Sequence, residues 1–218
     1  MALHKNFGAL YKIRVVSLFV LLSSMSQSGF VFKIIVVGNY SVGKTSILQA
    51  FMQEKKCTHV IVTVGASFPI KRITVDGIQV ELQLWDTAGQ ERYMVMAPLF
   101  YKQAHGCLIV YDVTNKQSFS NVASWLQQQE GNNIAQKILV GNKIDLKSAR
   151  QVEYAEGKLF AEENAMQFIE TSAFEYTNIP TLFSNLVKKI IENYEAPEIQ
   201  PPLRIQEVNI GGGTCYYC

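Results

Sequence analysis

The feature that most constrains this chain is Gly38-Asn39-Tyr40-Ser41-Val42-Gly43-Lys44-Thr45, set between an apolar run ending at Val37 and a segment of helical character. It has the form G-x-x-x-x-G-K-S/T, and a strand before it with a helix behind it is the context in which that form binds phosphate. The glycines let the backbone curl so that successive N–H groups face one anion. The following helix points its positive end at the same place. Lys44 is expected to reach the β- and γ-phosphates, and Thr45 to place its hydroxyl on Mg²⁺. Ser41, Val42, Gly43, Lys44, Thr45 and Ser46 are the candidate phosphate-binding residues. The competing reading, a chance glycine turn, does not explain the flanking strand and helix.

The rest of the chain shows what surrounds such a loop. Phe30 to Val37 is a near-continuous apolar run, the pattern of a strand buried on both faces. Thr45 to Met52 reads as a short helix. Ala66 to Val75 and Gln79 to Trp85 alternate as two half-buried strands around a turn at Asp76-Gly77. Gly106 to Tyr111 and Lys137 to Val140 are further buried strands, and Phe168-Ile169 marks a brief one. Phe119 to Gln129 and Val152 to Asn164 have helical character. Leu182 to Tyr194 is an amphipathic helix with Leu182, Leu186, Ile190 and Tyr194 on one face. Strands alternating with helices predict an α/β domain: a mostly parallel, six-stranded central sheet flanked by helices. Ligands of such sheets sit at the carboxyl ends of the strands, so the chemistry is expected in loops that follow strands.

Three more stretches stand in such loops. Trp85-Asp86-Thr87-Ala88-Gly89-Gln90 ends a strand. An aspartate there can hold Mg²⁺ through water. The N–H of Gly89 can reach the γ-phosphate and couple nucleotide state to loop position, and Gln90 can orient an attacking water. Asn142-Lys143-Ile144-Asp145 follows the strand ending at Val140. Asp145 can accept two hydrogen bonds from the ring N–H and amino group of guanine. Adenine lacks that pair and would leave the carboxylate unsatisfied, at a cost of order 1–3 kcal/mol or more. The stem of Lys143 can lie along the base and ribose. Finally, backbone N–H groups of Glu170-Thr171-Ser172-Ala173, chiefly at Ser172 and Ala173, can bond the guanine O6.

These four stretches, in this order and spacing, resemble the Ras superfamily of small GTPases over about residues 30–194. Within that frame Trp85 to Tyr93 and Val110-Tyr111-Asp112-Val113-Thr114-Asn115 resemble the Rab branch. Thr63-Val64-Gly65-Ala66-Ser67-Phe68, Glu91-Arg92-Tyr93 and Ala97-Pro98 are similar to the early-endosomal Rab subgroup. The resemblance implies a three-layer P-loop GTPase fold. It makes Thr63 a switch threonine that meets Mg²⁺ and γ-phosphate only in the GTP state. It puts Phe68 and Trp85, with a third aromatic near Phe100 or Tyr101, on a surface that effectors read. For Phe68 and Trp85, ordinary core packing is the alternative. The chain also departs from the family. Tyr40 and Ser41 stand where small residues are usual. Lys56 stands where an aromatic often covers the phosphates. Gln103-Ala104-His105 replaces a more usual Arg-Gly pair. His105 reads as a packed strand-edge residue rather than a catalytic base; His4 and His59 carry no signal.

Composition sets limits. With 218 residues and 48 % hydrophobic content, the chain holds one full core plus appendages. Its net charge of +2 points to a mixed surface and not to nucleic acid. Four cysteines at 57, 107, 215 and 218 make no disulfide framework and suit a reducing compartment. Residues 1–29 form an extension in which Lys5, Lys12 and Arg14 precede an apolar run from Val15 to Leu22. That run is too short for a membrane-spanning helix. An over-extended start, with the true one near Met25, is the preferred expectation; a targeting or membrane-dipping element and plain disorder are the alternatives. The G domain is expected over 30–195. Residues 196–218 are read as a flexible tail from the prolines at 197, 201 and 202 and the glycines at 211–213. Its last four residues, Cys215-Tyr216-Tyr217-Cys218, have three readings. A zinc half-site lacks a second pair, and a redox motif needs a thioredoxin-like setting. Prenylation fits a C-a-a-X frame at Cys215 and a terminal cysteine at Cys218. The tail holds no polybasic patch, so two prenyl chains are the expected anchor.

The expectation is therefore a monomeric GTP/GDP switch with Mg²⁺, in which Gln90 and Lys44 are catalytic and Thr45, Thr63 and Asp86 serve the metal. It slowly hydrolyses GTP and regulates vesicle and endosomal trafficking on the cytoplasmic face of intracellular membranes, cycling with the cytosol. Its partners would be an exchange factor, a GTPase-activating protein, prenylation and extraction chaperones, and effectors. Two rival readings are a GTP-binding recruitment module with negligible hydrolysis, on account of Tyr40, and an adenine-nucleotide P-loop enzyme.

Overall fold

The computed structural model describes residues 30–58, 66–87, 101–129, 131, 134 and 136–194. Strand β1 (Phe30–Val37) is followed by helix α1 (Lys44–Gln53). Strands β2 (Ala66–Ser67), β3 (Ile70–Val75) and β4 (Ile78–Thr87) come next, then β5 (Gly106–Asp112). Two short helices, α2 (Lys116–Ser120) and α3 (Val122–Gln127), precede β6 (Gln136–Asn142). Helix α4 (Tyr154–Glu163), β7 (Gln167–Glu170) and α5 (Ile179–Asn193) complete the order.

The sheet runs β2-β4-β1-β5-β6-β7, with β3 also on β4. From β4 to β7 every pairing is parallel. Both β2 and β3 lie antiparallel to β4, at its carboxyl and amino ends respectively. They are two pieces of one edge strand, so the sheet is six strands wide. The expected continuous strand from Ala66 to Val75 is thus interrupted at Phe68-Pro69. Proline has no N–H to give the ladder, although its carbonyl still accepts from Leu84 N–H at 2.9 Å. The turn at Asp76-Gly77 is as expected: both residues have positive φ, the geometry of a tight hairpin.

The apolar run of β1 is continuous because both its faces are covered. Phe32, Ile34 and Val36 face one core with α1 and α5, while Ile35 and Val37 face a second core with Trp125 of α3 and Ala161 of α4. Three layers result, with the sheet in the middle. On α5, Leu182, Leu186 and Ile190 are buried, and the Phe183 ring stacks on Phe51 of α1 at 3.7 Å. Burying each such side chain is worth about 1.5–3 kcal/mol. Tyr194 closes the stripe against Phe30 and Phe32. The helix expected over Phe119–Gln129 is instead two. It begins earlier, because the Asn115 side chain accepts from Ser118 N–H at 3.0 Å and starts α2 there. It breaks at Asn121.

Candidate functional site

Because the strands are parallel, their carboxyl ends gather on one edge, and the site is built from the loops that leave it. The loop after β1 curls through Gly38 at φ 139° and Gly43 at φ 96°. A Cβ at Gly38 would lie 2.1 Å from the Val110 carbonyl oxygen, and one at Gly43 would lie 2.3 Å from Asn142 Nδ2. Neither position has room for a side chain, and Gly43 is left-handed besides. Helix α1 then begins at Lys44 with no side chain capping its first turn. The start of a helix is a place where backbone N–H groups and the helix dipole favour an anion.

Lys44 is buried and donates from Nζ to the carbonyl oxygens of Gly38 and Asn39, each at 2.8 Å. Burial pulls its ammonium down to about 8, against the opposing effect of the Asp86 carboxylate. Thr45 donates from Oγ1 to Asp86 Oδ2 at 2.7 Å. Asp86 is buried at the end of β4, beside Val36 of β1. A hydroxyl and a carboxylate oxygen are hard donors of the kind Mg²⁺ prefers, and a site with few protein ligands suits an ion that keeps its waters. The donor set therefore fits Mg²⁺. Ser41, at φ 64°, and Val42 lie inside the same loop, with Ser46 in the first turn of α1.

The loops after β5, β6 and β7 meet next to this one. Asn142 is buried and uses both ends of its amide on protein. Nδ2 donates to the Val42 carbonyl oxygen at 2.9 Å, while Oδ1 accepts from Thr171 Oγ1 at 3.2 Å and Ala173 N–H at 3.4 Å. One side chain thus ties the phosphate loop to both base-side loops. Asp145 Oδ1 accepts from Ser172 Oγ at 2.5 Å, which sets the carboxylate against the turn that carries Ala173. Lys143, at φ 69°, forms an ion pair with Asp112 Oδ2 at 2.7 Å. Asp112 Oδ1 accepts from the N–H and the hydroxyl of Thr114. In the sequence Asp112 stands out only as part of the Rab-like stretch. The signal that singles it out is its place at the carboxyl end of β5, in register with Asn142.

The structure thus brings together Ser41, Val42, Gly43, Lys44, Thr45, Ser46, Asp86, Asn142, Lys143, Asp145, Ser172 and Ala173. Thr63, Gly89, Gln90, Cys215 and Cys218 lie outside the described residues. The departures at Tyr40 and Lys56 both face solvent. Tyr40 is 57 % exposed, and Lys56 is exposed at the far end of the segment that leaves α1. Phe68 is also exposed, with its ring 4.8 Å from that of Trp85. Trp85 is half-buried, and Lys33 Nζ lies 4.2 Å above its ring. Of the two candidates for a third surface aromatic, Tyr101 is excluded. It is buried among Cys107, Trp125 and the apolar side chains of that core, and Phe100 lies outside the described residues. His105 is a packed strand-edge residue, as expected: its Nδ1 accepts from Lys33 N–H at 3.1 Å, and its ring lies against Phe32.

Comparison with known proteins agrees with this geometry. Residues 33–192 match the sequence model of the Ras family. The GTP-binding protein YPT1 of Saccharomyces cerevisiae is 38 % identical over 204 residues, covering 87 % of this chain and 99 % of the relative. The Ras-related protein RABD2a of Arabidopsis thaliana is 37 % identical over 85 % of this chain and 96 % of its own length. RABA5c of the same plant is 34 % identical over 83 % and 86 %. With a phosphate loop, a Thr45–Asp86 pair and two base-side loops joined through Asn142, the chain belongs to the Rab family of Ras-superfamily small GTPases, which bind GTP or GDP with Mg²⁺ and hydrolyse GTP.

Proposed function

We propose that this chain is a trafficking switch whose nucleotide is held by residues 38–46, 142–145 and 172–173 of a G domain spanning 30–195. The observation that carries the assignment is the Asn142 side chain, which joins the phosphate loop at Val42 to the base-side turn at Ala173. A ligand held there must bear phosphate at one end and a base at the other. Asp145, braced by Ser172, is the group that selects guanine.

In the reaction, the Lys44 ammonium and the N–H groups at the start of α1 supply positive charge where negative charge builds on the γ-phosphoryl group. Gln90 orients the attacking water. Thr45 and Asp86, joined by Thr63 in the GTP state, are the residues that would hold Mg²⁺, which supplies charge neutralisation to the phosphates when bound. Thr63 and Gly89 are the residues assigned to sense the γ-phosphate, so that nucleotide state sets what effectors bind. Among the described residues Arg72 pairs with Glu81 and Arg150 with Glu170, and a GTPase-activating partner is the expected source of an arginine at the phosphates. Ras-type proteins hydrolyse GTP at about 10⁻⁴ s⁻¹ alone and roughly 10⁵-fold faster with such a partner. A recruitment module without turnover is not favoured. It rested on the bulk of Tyr40, whose side chain is largely exposed.

Among the described residues no helix is long and apolar enough to cross a membrane. Attachment is assigned to prenyl groups on Cys215 and Cys218 of the 196–218 tail, on the cytoplasmic face of endosomal or vesicle membranes, with exchange factors, extraction chaperones and effectors as partners. Single-turnover hydrolysis of bound GTP tests the switch. Wild type should turn over at a Ras-like rate, Gln90→Leu should slow it at least tenfold, and Tyr40→Gly should leave it within a few-fold. A wild type that shows no turnover until Tyr40→Gly is introduced would restore the module reading. Loss of membrane association in the Cys215→Ser, Cys218→Ser double variant tests the anchor; a wild type diffuse in cells would refute it.

A further inference from the structure

The chain has two tryptophans, at 85 and 125, and the second does something the nucleotide-binding motifs do not require. Trp125 lies in α3, 9 % exposed, on the core face of the helix. A buried indole N–H needs an acceptor. Trp125 Nε1 donates at 2.8 Å to Oδ1 of Asn39, a residue 86 positions away and the second residue of the phosphate loop. The main-chain oxygen of the same Asn39 accepts from Lys44 Nζ at 2.8 Å. Asn39 is therefore held from both sides, by its side chain from α3 and by its carbonyl from the lysine that serves the phosphates.

The two contacts differ in what happens to them on binding. A phosphate oxygen adds to Lys44 Nζ the full attraction between opposite charges, which the two neutral carbonyl acceptors do not give. Any turn of Lys44 toward phosphate is made at the expense of its bond to the Asn39 carbonyl. The bond from Trp125 is then the side-chain contact that keeps the start of the loop in place while its N–H groups face the anion. Trp125 can provide this because α3 is itself fixed: Val122 is fully buried in the same core, and Trp125 N–H donates to the Asn121 carbonyl oxygen at 3.2 Å.

We propose that Trp125 is a positioning residue for the phosphate loop, acting through Asn39, and that the bond slows nucleotide release. This rests on the reading of residues 38–45 as the phosphate site. The natural test is release of a fluorescent GDP analogue from the full chain with Mg²⁺. Asn39→Ala alters a half-exposed loop side chain, leaving the core intact; Trp125→Phe keeps a ring in place and removes only the N–H and part of the bulk. One such bond is worth roughly a five- to tenfold change in rate. Each single variant should release GDP about that much faster, and the double variant should be no faster than the faster single. An indole N–H resonance lost in Trp125→Phe identifies Trp125, and that resonance should shift upfield in Asn39→Ala. A merely structural role for Trp125 would move the melting temperature without moving that resonance in Asn39→Ala. Unchanged release in both single variants, multiplicative effects in the double, or an unmoved resonance would each overturn the proposal. A wild type that fails to retain GDP at all would instead overturn the reading of the loop.

Discussion

At the scale of single residues, the site depends on positions where no other side chain fits. Gly43 is the sharpest case. Its φ of 96° disfavours any L side chain, and a Cβ would come within 2.3 Å of Asn142 Nδ2. Gly43→Ala therefore adds backbone strain and displaces the amide that ties Val42 to Ala173, together roughly 2–5 kcal/mol. Equilibrium binding of GDP should weaken by at least about tenfold, with a lowered melting temperature in the absence of nucleotide. Wild-type affinity in that variant would mean that Asn142 can move aside freely. Gly43, Lys44 and Thr45 were legible in the sequence because their spacing is itself the geometry of a phosphate loop. Asp112 and Asn39 were not. Each acts through a partner distant in sequence, and the partnership exists only once strand register sets Asp112 beside Asn142 and the second core brings α3 under the loop.

At the scale of elements, period and apolar content located each of the described strands, and the errors came from local chemistry. Pro69 split the edge strand because it cannot donate to the ladder, and Asn115 started a helix three residues before the apolar spacing showed one. The join between β1 and the start of β5 carries a titratable group. Lys33 N–H donates to His105 Nδ1 at 3.1 Å, and His105 N–H donates back to the Lys33 carbonyl oxygen at 2.9 Å. Burial first, and the Lys33 charge second, hold the imidazole below its ordinary value of 6.5. The unfolded chain therefore takes up the proton at a higher pH than the fold does. The contribution of His105 to stability is full above that ordinary value and is lost as pH falls below it. Protonation also removes the acceptor that Lys33 N–H uses. Melting temperature should fall between about pH 7 and pH 5.5, and His105→Gln should flatten part of that slope. A slope identical in wild type and His105→Gln would show that the imidazole is not the group responsible.

At the scale of the whole molecule, a mostly parallel sheet with its chemistry in loops that follow strands was readable from the alternation of strands and helices, and the three layers from the family resemblance. What the alternation did not show is that the site is a junction. The loops after β1, β5, β6 and β7 and the end of β4 at Asp86 converge on it, so their relative placement depends on the packing of both cores. A ligand that bridges those loops should stabilise the entire domain and not the loops alone. Ligand present at about 100 times its dissociation constant contributes about 2.7 kcal/mol. In a domain of this size each kcal/mol is worth about 2–4 °C. GDP with Mg²⁺ should therefore raise the melting temperature by roughly 5–10 °C in one cooperative transition, and ATP at the same concentration should not. Asp145→Asn should abolish the GDP increment while leaving the nucleotide-free melting temperature nearly unchanged, because Asp145 is only half-buried and an amide oxygen can still accept from Ser172. Equal shifts with ATP and GDP would mean that the junction senses phosphate alone and that Asp145 does not select the base.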